Sequence, residues 1–220
     1  MAQIDFIQAL SAATKRNYVQ RVVDYDKAEC AAVARQWGYD YWDGDRRFGY
    51  GGYRYDGRWR AVAERMAAHY GLKPGMRILD VGCGKAHLLY EFTKVVPGIE
   101  VRGIDISAYG VANAKEEVRE LLDLGNATAL PYGDAEFDFV FSLATLHNLD
   151  IGELLAALGE ICRVGRGPGY IMVESWRNER EKANMLYWQL TCQSFHGVAG
   201  WEWIFRRAGY EGDHGFIYFE

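Results

Sequence analysis

The chemistry of this chain is concentrated in two arrangements of acid and glycine. In Arg77-Ile78-Leu79-Asp80-Val81-Gly82-Cys83-Gly84-Lys85-Ala86 an apolar run carrying Asp80 ends in a glycine turn. Such a turn lets a ligand lie against bare backbone. In Val101-Arg102-Gly103-Ile104-Asp105 a second apolar run ends in an acid, about 20 residues further on. A carboxylate placed there can accept hydrogen bonds from both hydroxyls of a ribose. Together the two runs mark a site for a nucleoside-bearing ligand. Proton transfer has its own candidates: His147 first, because an imidazole titrates near neutrality, and Glu174 second.

These residues need a scaffold, and the hydrophobic pattern supplies one. Arg77–Val81, Val101–Asp105, Leu122–Gly125, Phe137–Ser142 and Tyr170–Glu174 read as strands. Helices fall between them, over Ala86–Val96, from Ser107 to Leu121, and over Leu154–Val164. Pro97-Gly98 stops the first helix, Ser107 caps the second, and Asp150 with Glu153 forms a capping box before the third. This alternation predicts an α/β fold whose mostly parallel sheet is covered by helices on both faces. Glu179–Phe195 and Gly200–Ala208 read as further helices, and Phe216–Glu220 as an aromatic strand, with a final hairpin compressed into Tyr210–Glu220.

Upstream, Ile7, Leu10, Val19, Val22 and Val23 suggest an apolar helical stripe, and Ala28–Trp37 a second helix. Trp59 to Tyr70 forms an amphipathic pattern with Asp56 as its cap and Gly71 as its stop. The expected division is residues 1–70, helices and an aromatic Gly/Arg-rich lid, followed by residues 71–220, the ligand-binding domain with a cap insertion at 175–199.

Half of the 220 residues are hydrophobic, enough for a sizeable core. The net charge of −5 counts against a protein that coats nucleic acid. No apolar stretch reaches the roughly 18 residues of a membrane span, and Met1–Phe6 lacks a secretory pattern. Cys30, Cys83, Cys162 and Cys192 are scattered with no C-x-x-C pair, so no metal site is expected, and reduced thiols in the cytoplasm are.

A nicotinamide-binding turn would read G-x-G-x-x-G, and His87 stands where the third glycine belongs. With Asp80 inside it, the run instead resembles the D-x-G-x-G feature of the class I S-adenosylmethionine-dependent methyltransferases, whose fold is Rossmann-like. Three later blocks follow in the family's order. Asn126–Asp138 is similar to D-A-x-x-L-P-F-x-D-x-x-F-D, Ser142–Leu149 to the loop and helix after the fourth strand, and Glu160–Val173 to E-I-x-R-V-L-K-P-G-G-x-L. The resemblance covers roughly Leu72 to Gly209 and implies S-adenosylmethionine as cofactor. It places Gly82 and Gly84 beneath the methionine portion and ribose, Asp80 on the ammonium, and Asp105 on the ribose hydroxyls. Asn126 and the Ala127 N–H would meet the adenine edge, flanked by Ile106 and Leu143. Ala86 replaces the usual last glycine, which is tolerable where that backbone is already helical. Asn126 replaces the commoner acid, keeping an acceptor and losing a charge.

Two segments outside the sheet could meet the methyl acceptor. Trp37–Trp59, dense in aromatics, glycines and arginines, reads as a lid. Its arginines Arg46, Arg47, Arg54 and Arg58, with Arg54 and Arg58 taken as substrate-binding, either hold a carboxylate or phosphate or pair with Asp40, Asp43, Asp45 and Asp56. Tyr50 and Tyr53 join the catalytic candidates, and Tyr55 could orient the acceptor. The stretch after Glu174, with Trp176 and His196, either covers the acceptor or packs on the N-terminal helices or a partner subunit. No N-P-P-Y-like tetrapeptide follows the fourth strand, where Ser142-Leu143-Ala144-Thr145 stands, and this counts against methylation of a base or a glutamine amide. The leading expectation is a cytoplasmic methyltransferase acting on an O or N nucleophile of a small polar, anionic metabolite. Neither nucleic acid nor membrane is expected as partner, and a homodimer is allowed. The alternatives are a catalytically weak S-adenosylmethionine-binding regulatory or structural subunit, and an NAD-dependent oxidoreductase.

Overall fold

In the computed structural model, which describes residues 1–7 and 17–220, six strands form one sheet in the order β3-β2-β1-β4-β5-β6. They are β1 (Arg77–Val81), β2 (Glu100–Asp105), β3 (Leu122–Leu124), β4 (Phe139–Leu143), β5 (Gly169–Glu174) and β6 (Asp213–Ile217), and every pairing among them is parallel. The helices, in chain order, are α1 (Tyr18–Asp24), α2 (Lys27–Ala34), α3 (Tyr39–Trp42), α4 (Arg60–Tyr70) and α5 (His87–Val95), then α6 (Ala108–Ala112), α7 (Glu116–Arg119), α8 (Ile151–Val164), α9 (Glu179–Trp188) and α10 (Val198–Arg207).

The near-continuous apolar strands are explained by burial on both faces. Ile78, Phe139, Phe141, Tyr170 and Met172 point into one cluster, shared with α4, α5 and Phe6. Their neighbours Leu79, Val81, Val140, Ile171 and Val173 point into the other, shared with α8 and α10. Strand order reverses at β1, which lies between β2 and β4. At such a reversal the connections leave the sheet in opposite directions and open a crevice beyond the strand ends. The glycine turn leaves β1 and the His147 turn leaves β4, so both arrive at that crevice.

Several local expectations hold. Ser107 Oγ accepts from the Gly110 amide, Asp150 and Glu153 form a reciprocal capping box, and Gly71 ends α4 in the left-handed region. Others are corrected. Asp56 does not cap α4; its carboxylate is taken by Arg58, and Trp59 stands at the cap position without a capping side-chain bond, its indole donating to the Tyr53 hydroxyl instead. The helix expected from Ser107 to Leu121 breaks after Ala112, where the Lys115 amide turns to the Lys85 carbonyl. The helix expected to reach Phe195 stops at Trp188, because the Gln193 and Ser194 amides bond to the His147 carbonyl instead. Val19 and Val23, expected on a buried stripe, are exposed, and Leu10 lies outside the described residues.

The last strand occupies 213–217 rather than 216–220, and no antiparallel hairpin forms among the described residues. His214 pairs on its other side with the chain's own start: the Ile4 amide donates to the His214 carbonyl (2.7 Å) and the His214 amide to Ala2 (2.9 Å). Gly215 serves close approach. A Cβ there would lie 2.1 Å from the Tyr170 hydroxyl and 2.6 Å from the Ile4 carbonyl, the two groups that hydrogen-bond across it. Gly215→Ala is expected to cost about 1–3 kcal/mol by overpacking. Urea unfolding checks this, and an unchanged midpoint would count against the close packing of β6.

Candidate active site

The turn after β1 alternates into the left-handed region at Gly82 (φ 87°), Gly84 (φ 53°) and Ala86 (φ 54°). Side chains are excluded as well as disfavoured. A Cβ on Gly82 would meet Thr145 Oγ1 at 2.1 Å, and one on Gly84 would meet the Trp42 ring at 2.5 Å. The backbone at Ala86 is therefore not helical as expected; it is the left-handed residue preceding α5, at a strain of about 1–2 kcal/mol. Asp105 closes the turn, accepting from the Gly84 amide and from the Ser107 amide at 2.7 Å each.

A cavity of about 530 Å³ opens above this turn, within the range of small-molecule sites. Asp80, Gly82, Gly84, Leu143, His147, Glu174, Tyr50, Tyr53, Arg54 and Arg58 line it together. Asp80 is 5% exposed, and its Oδ1 is buried without a hydrogen-bond partner. Burial, then the nearby Asp105 charge, pushes its carboxyl well above the usual range. A cationic group on the ligand would satisfy that oxygen.

The remaining sequence candidates lie away from this space. Asp105 is behind Gly84, and burial raises its carboxyl too. Ile106 is exposed, while Asn126 Oδ1 accepts from the Thr128 amide and hydroxyl. Ala127 is half-buried against the α8 side of the sheet. Tyr55 sends its hydroxyl to Glu91; Trp176 packs beside Gly197 and under Lys182; His196 packs edge-on to Trp201. The structure does not bring these last three to the cavity.

The two proton-transfer candidates do meet. His147, on the 3₁₀ turn Leu146–Asn148, is 2% exposed, and its Nε2 lies 3.4 Å from Glu174 Oε2. Its Nδ1 is buried without a hydrogen-bond partner. Burial holds the imidazole far below its ordinary value, at about 3, and hence neutral at neutral pH. Gln189 Nε2 donates to Glu174 Oε1, and Asn148 presents a buried, unpartnered Oδ1 on the same wall.

Residues 37–59 are seated on the glycine turn. Trp42 Nε1 donates to Ser107 Oγ (2.8 Å), and Asp43 accepts from buried Lys85 (2.6 Å) and from the Tyr109 hydroxyl (2.8 Å). The rings form a wall: Trp42 stacks on Tyr50 at 5.4 Å, Tyr50 meets Tyr53 at 4.5 Å, and Tyr53 stacks on His87 at 4.7 Å. Arg58 pairs with Asp56 (2.5 Å) and Arg47 with Asp45 (3.9 Å), whereas Arg54, which lines the cavity, has no ion pair among the described residues. Sequence reasoning missed Trp42, Lys85, His87, Asn148 and Gln189 as site residues. Lys85 and His87 flank the turn and could have been marked by adjacency; Gln189 carried no signal.

Residues 72–209 match the methyltransferase domain family. The chain belongs to it. With the D-x-G-x-G turn and this sheet, the type is class I, and the cofactor implied is S-adenosylmethionine. The chain is 35% identical over 128 residues to a sterol 24-C-methyltransferase of Gibberella zeae, covering 53% of this chain and 33% of the relative. It is also 35% identical over 114 residues to a ubiquinone biosynthesis O-methyltransferase of Rhodopseudomonas palustris (50% and 43%). The chain thus spans less than half the length of these relatives. Among solved structures, the YcgJ protein of Bacillus subtilis shares the fold at TM-score 0.55, with 21% identity and 66% of each chain covered. The turn fits the implied cofactor, because Asp80 Oδ1 is an orphaned buried carboxylate oxygen on a residue that lines the cavity.

Two pH effects follow. A ligand ammonium beside Asp80 should lower its raised carboxyl and release a proton. Calorimetric titration of S-adenosylhomocysteine in phosphate and Tris should therefore give buffer-dependent heats signalling proton release, larger at lower pH. Asp80→Asn should remove the effect and weaken binding; buffer-independent heats in the unmodified protein would remove Asp80 from this role. His147 acts on stability with a defined sign. Between about 3 and its ordinary 6.5 the unfolded chain takes up a proton that the folded chain refuses. Its contribution is present above pH 6.5 and is lost as pH falls, by about 2 kcal/mol between pH 7 and 5. Denaturant melts of the unmodified protein and His147→Gln at both pH values measure it.

Proposed function

We propose that the protein is an S-adenosylmethionine-dependent methyltransferase that methylates an O or N nucleophile of a small anionic acceptor, with His147 as base. The observation that carries this reading is the buried His147–Glu174 pair on the wall of the same cavity that holds Asp80 and the glycine turn. When bound, S-adenosylmethionine supplies a methyl group already activated on a sulfonium. What remains for the protein is in-line placement and removal of the acceptor's proton.

His147, neutral in its buried setting, accepts that proton on its ring, and Glu174 Oε2, 3.4 Å from Nε2, supplies the countercharge for the imidazolium that results. Gln189 fixes the Glu174 carboxylate through its other oxygen. Asn148 Oδ1 offers an acceptor for a second polar hydrogen on the substrate. Trp42, Tyr50 and Tyr53 exclude water and present aromatic faces, which favour a nearby cation. Asp105 takes the ribose hydroxyls through its remaining lone pairs, with Asn126, Ala127, Ile106 and Leu143 around the adenine.

The cavity volume supports a small acceptor, and its aromatic walls support one with a flat, apolar body. The O-methyltransferase relative from ubiquinone biosynthesis supports oxygen as the atom modified. No described helix is long and apolar enough to cross a membrane.

Methyl transfer from labelled S-adenosylmethionine to a panel of hydroxy- and amino-substituted aromatic acids tests the proposal. His147→Gln should lower kcat by about 10²–10⁴-fold, and Glu174→Gln by less, while affinity for S-adenosylhomocysteine stays near that of the unmodified protein. Absence of S-adenosylhomocysteine binding would sink the methyltransferase reading. An unchanged kcat in His147→Gln would sink the base assignment alone.

A further inference from the structure

We propose that Arg21 and Arg46, held over the ring of Trp188, form an oxyanion subsite that seats the acidic group of the acceptor. The group would be a carboxylate or phosphate monoester on a flat apolar body. The proposal rests on the methyltransferase reading of the cavity, and its test separates the two.

Three elements remote in sequence meet here. Arg21 comes from α1, Arg46 from the segment after α3, and Trp188 is the last residue of α9; all three line the cavity. The guanidinium carbons lie 4.5 Å and 5.3 Å from the Trp188 ring centroid. An aromatic face attracts each cation, but two cations on one ring repel each other. Burial and then the Arg46 charge hold the Arg21 guanidinium below its ordinary value. Arg21 has no carboxylate partner among the described residues; its hydrogen bonds go to the Arg46 and Arg47 carbonyls (3.5 Å and 3.1 Å). A guanidinium has five N–H donors, so Arg21 keeps donors for a ligand. An oxyanion placed between the two arginines would relieve their repulsion and take the charge-assisted hydrogen bonds that suit a planar fork. Arg58, the stronger sequence candidate, is already neutralised by Asp56. Phe48 and Leu190 on the same wall offer apolar seating for the acceptor's body.

The full-length protein saturated with S-adenosylhomocysteine is titrated calorimetrically with 2-naphthoate, 2-naphthyl phosphate and the uncharged 2-naphthamide. The anions should bind about tenfold or more tightly than the amide. Arg21→Gln and Arg46→Gln should each remove most of that advantage without changing the affinity for the amide or for S-adenosylhomocysteine. The tighter of the two anions identifies carboxylate or phosphate as the preferred group. Arg46 has an exposed side chain, so Arg46→Gln reads out the subsite even where Arg21→Gln disturbs α1. Equal binding of anions and amide, no binding of either anion, or unchanged anion binding in Arg46→Gln would overturn the proposal. So would a loss confined to S-adenosylhomocysteine, which would assign the arginines to the cofactor. Failure of S-adenosylhomocysteine to bind the unmodified protein tells instead against the methyltransferase reading.

Discussion

Asp105 accepts from the Gly84 amide with one oxygen and from the Ser107 amide with the other, at 2.7 Å each, tying the exit of β1 to the exit of β2. Ser107 Oγ in turn accepts from Trp42, whose ring lies directly over Gly84. The contacts close a ring, from Gly84 through Asp105, Ser107 and Trp42 back to Gly84. The cavity floor, the position of the aromatic segment and the acid at the second strand end all depend on it. The ring also explains why Gly84 tolerates no side chain: it is needed both for its left-handed backbone and for the indole above it.

Buried charge is managed differently on the two sides of the cavity. Near the aromatic segment, Lys85 is buried but paired with Asp43 and with the Tyr53 carbonyl, so its desolvation is offset. On the side of the glycine turn and the His147 turn, Asp80 keeps an unpartnered oxygen and His147 an unpartnered ring nitrogen. Burying such atoms costs free energy that only a ligand can recover. Buried polar atoms without a hydrogen-bond partner also occur away from the cavity, at Glu91 Oε2, Arg119 Nε and both ring nitrogens of His214, but Asp80 Oδ1 belongs to a residue that lines it.

Much of this was legible along the chain. The strands of the sheet core are short and apolar on both faces, so their existence follows from pattern alone, as do the Ser107 cap and the Asp150–Glu153 box. His147 and Glu174 were separable candidates in the sequence, each at a strand exit; their 3.4 Å approach follows from β4 and β5 being neighbours in the sheet. Less legible was whatever depends on contact between distant segments. The end of α9 at Trp188 is decided by the His147 carbonyl some forty residues earlier, so local periodicity overran it. The close packing at Gly215 is likewise decided by a distant segment, because the glycine makes room for a tyrosine hydroxyl from the neighbouring strand.

By itself, then, the sequence determined the sheet and the glycine turn, because these rest on short-range stereochemistry: short apolar strands, glycines at a tight turn and an acid at a strand end. The class of cofactor came from the family resemblance of the same residues. The tertiary structure decided which side chains share the cavity. It turned Tyr55, Trp176 and His196 away, drew in Gln189 and Asn148, and set Arg21 beside Arg46 over one indole. That arrangement depends on packing among α1, the aromatic segment and α9, elements whose own periodicity says which face is apolar but not which neighbour will cover it.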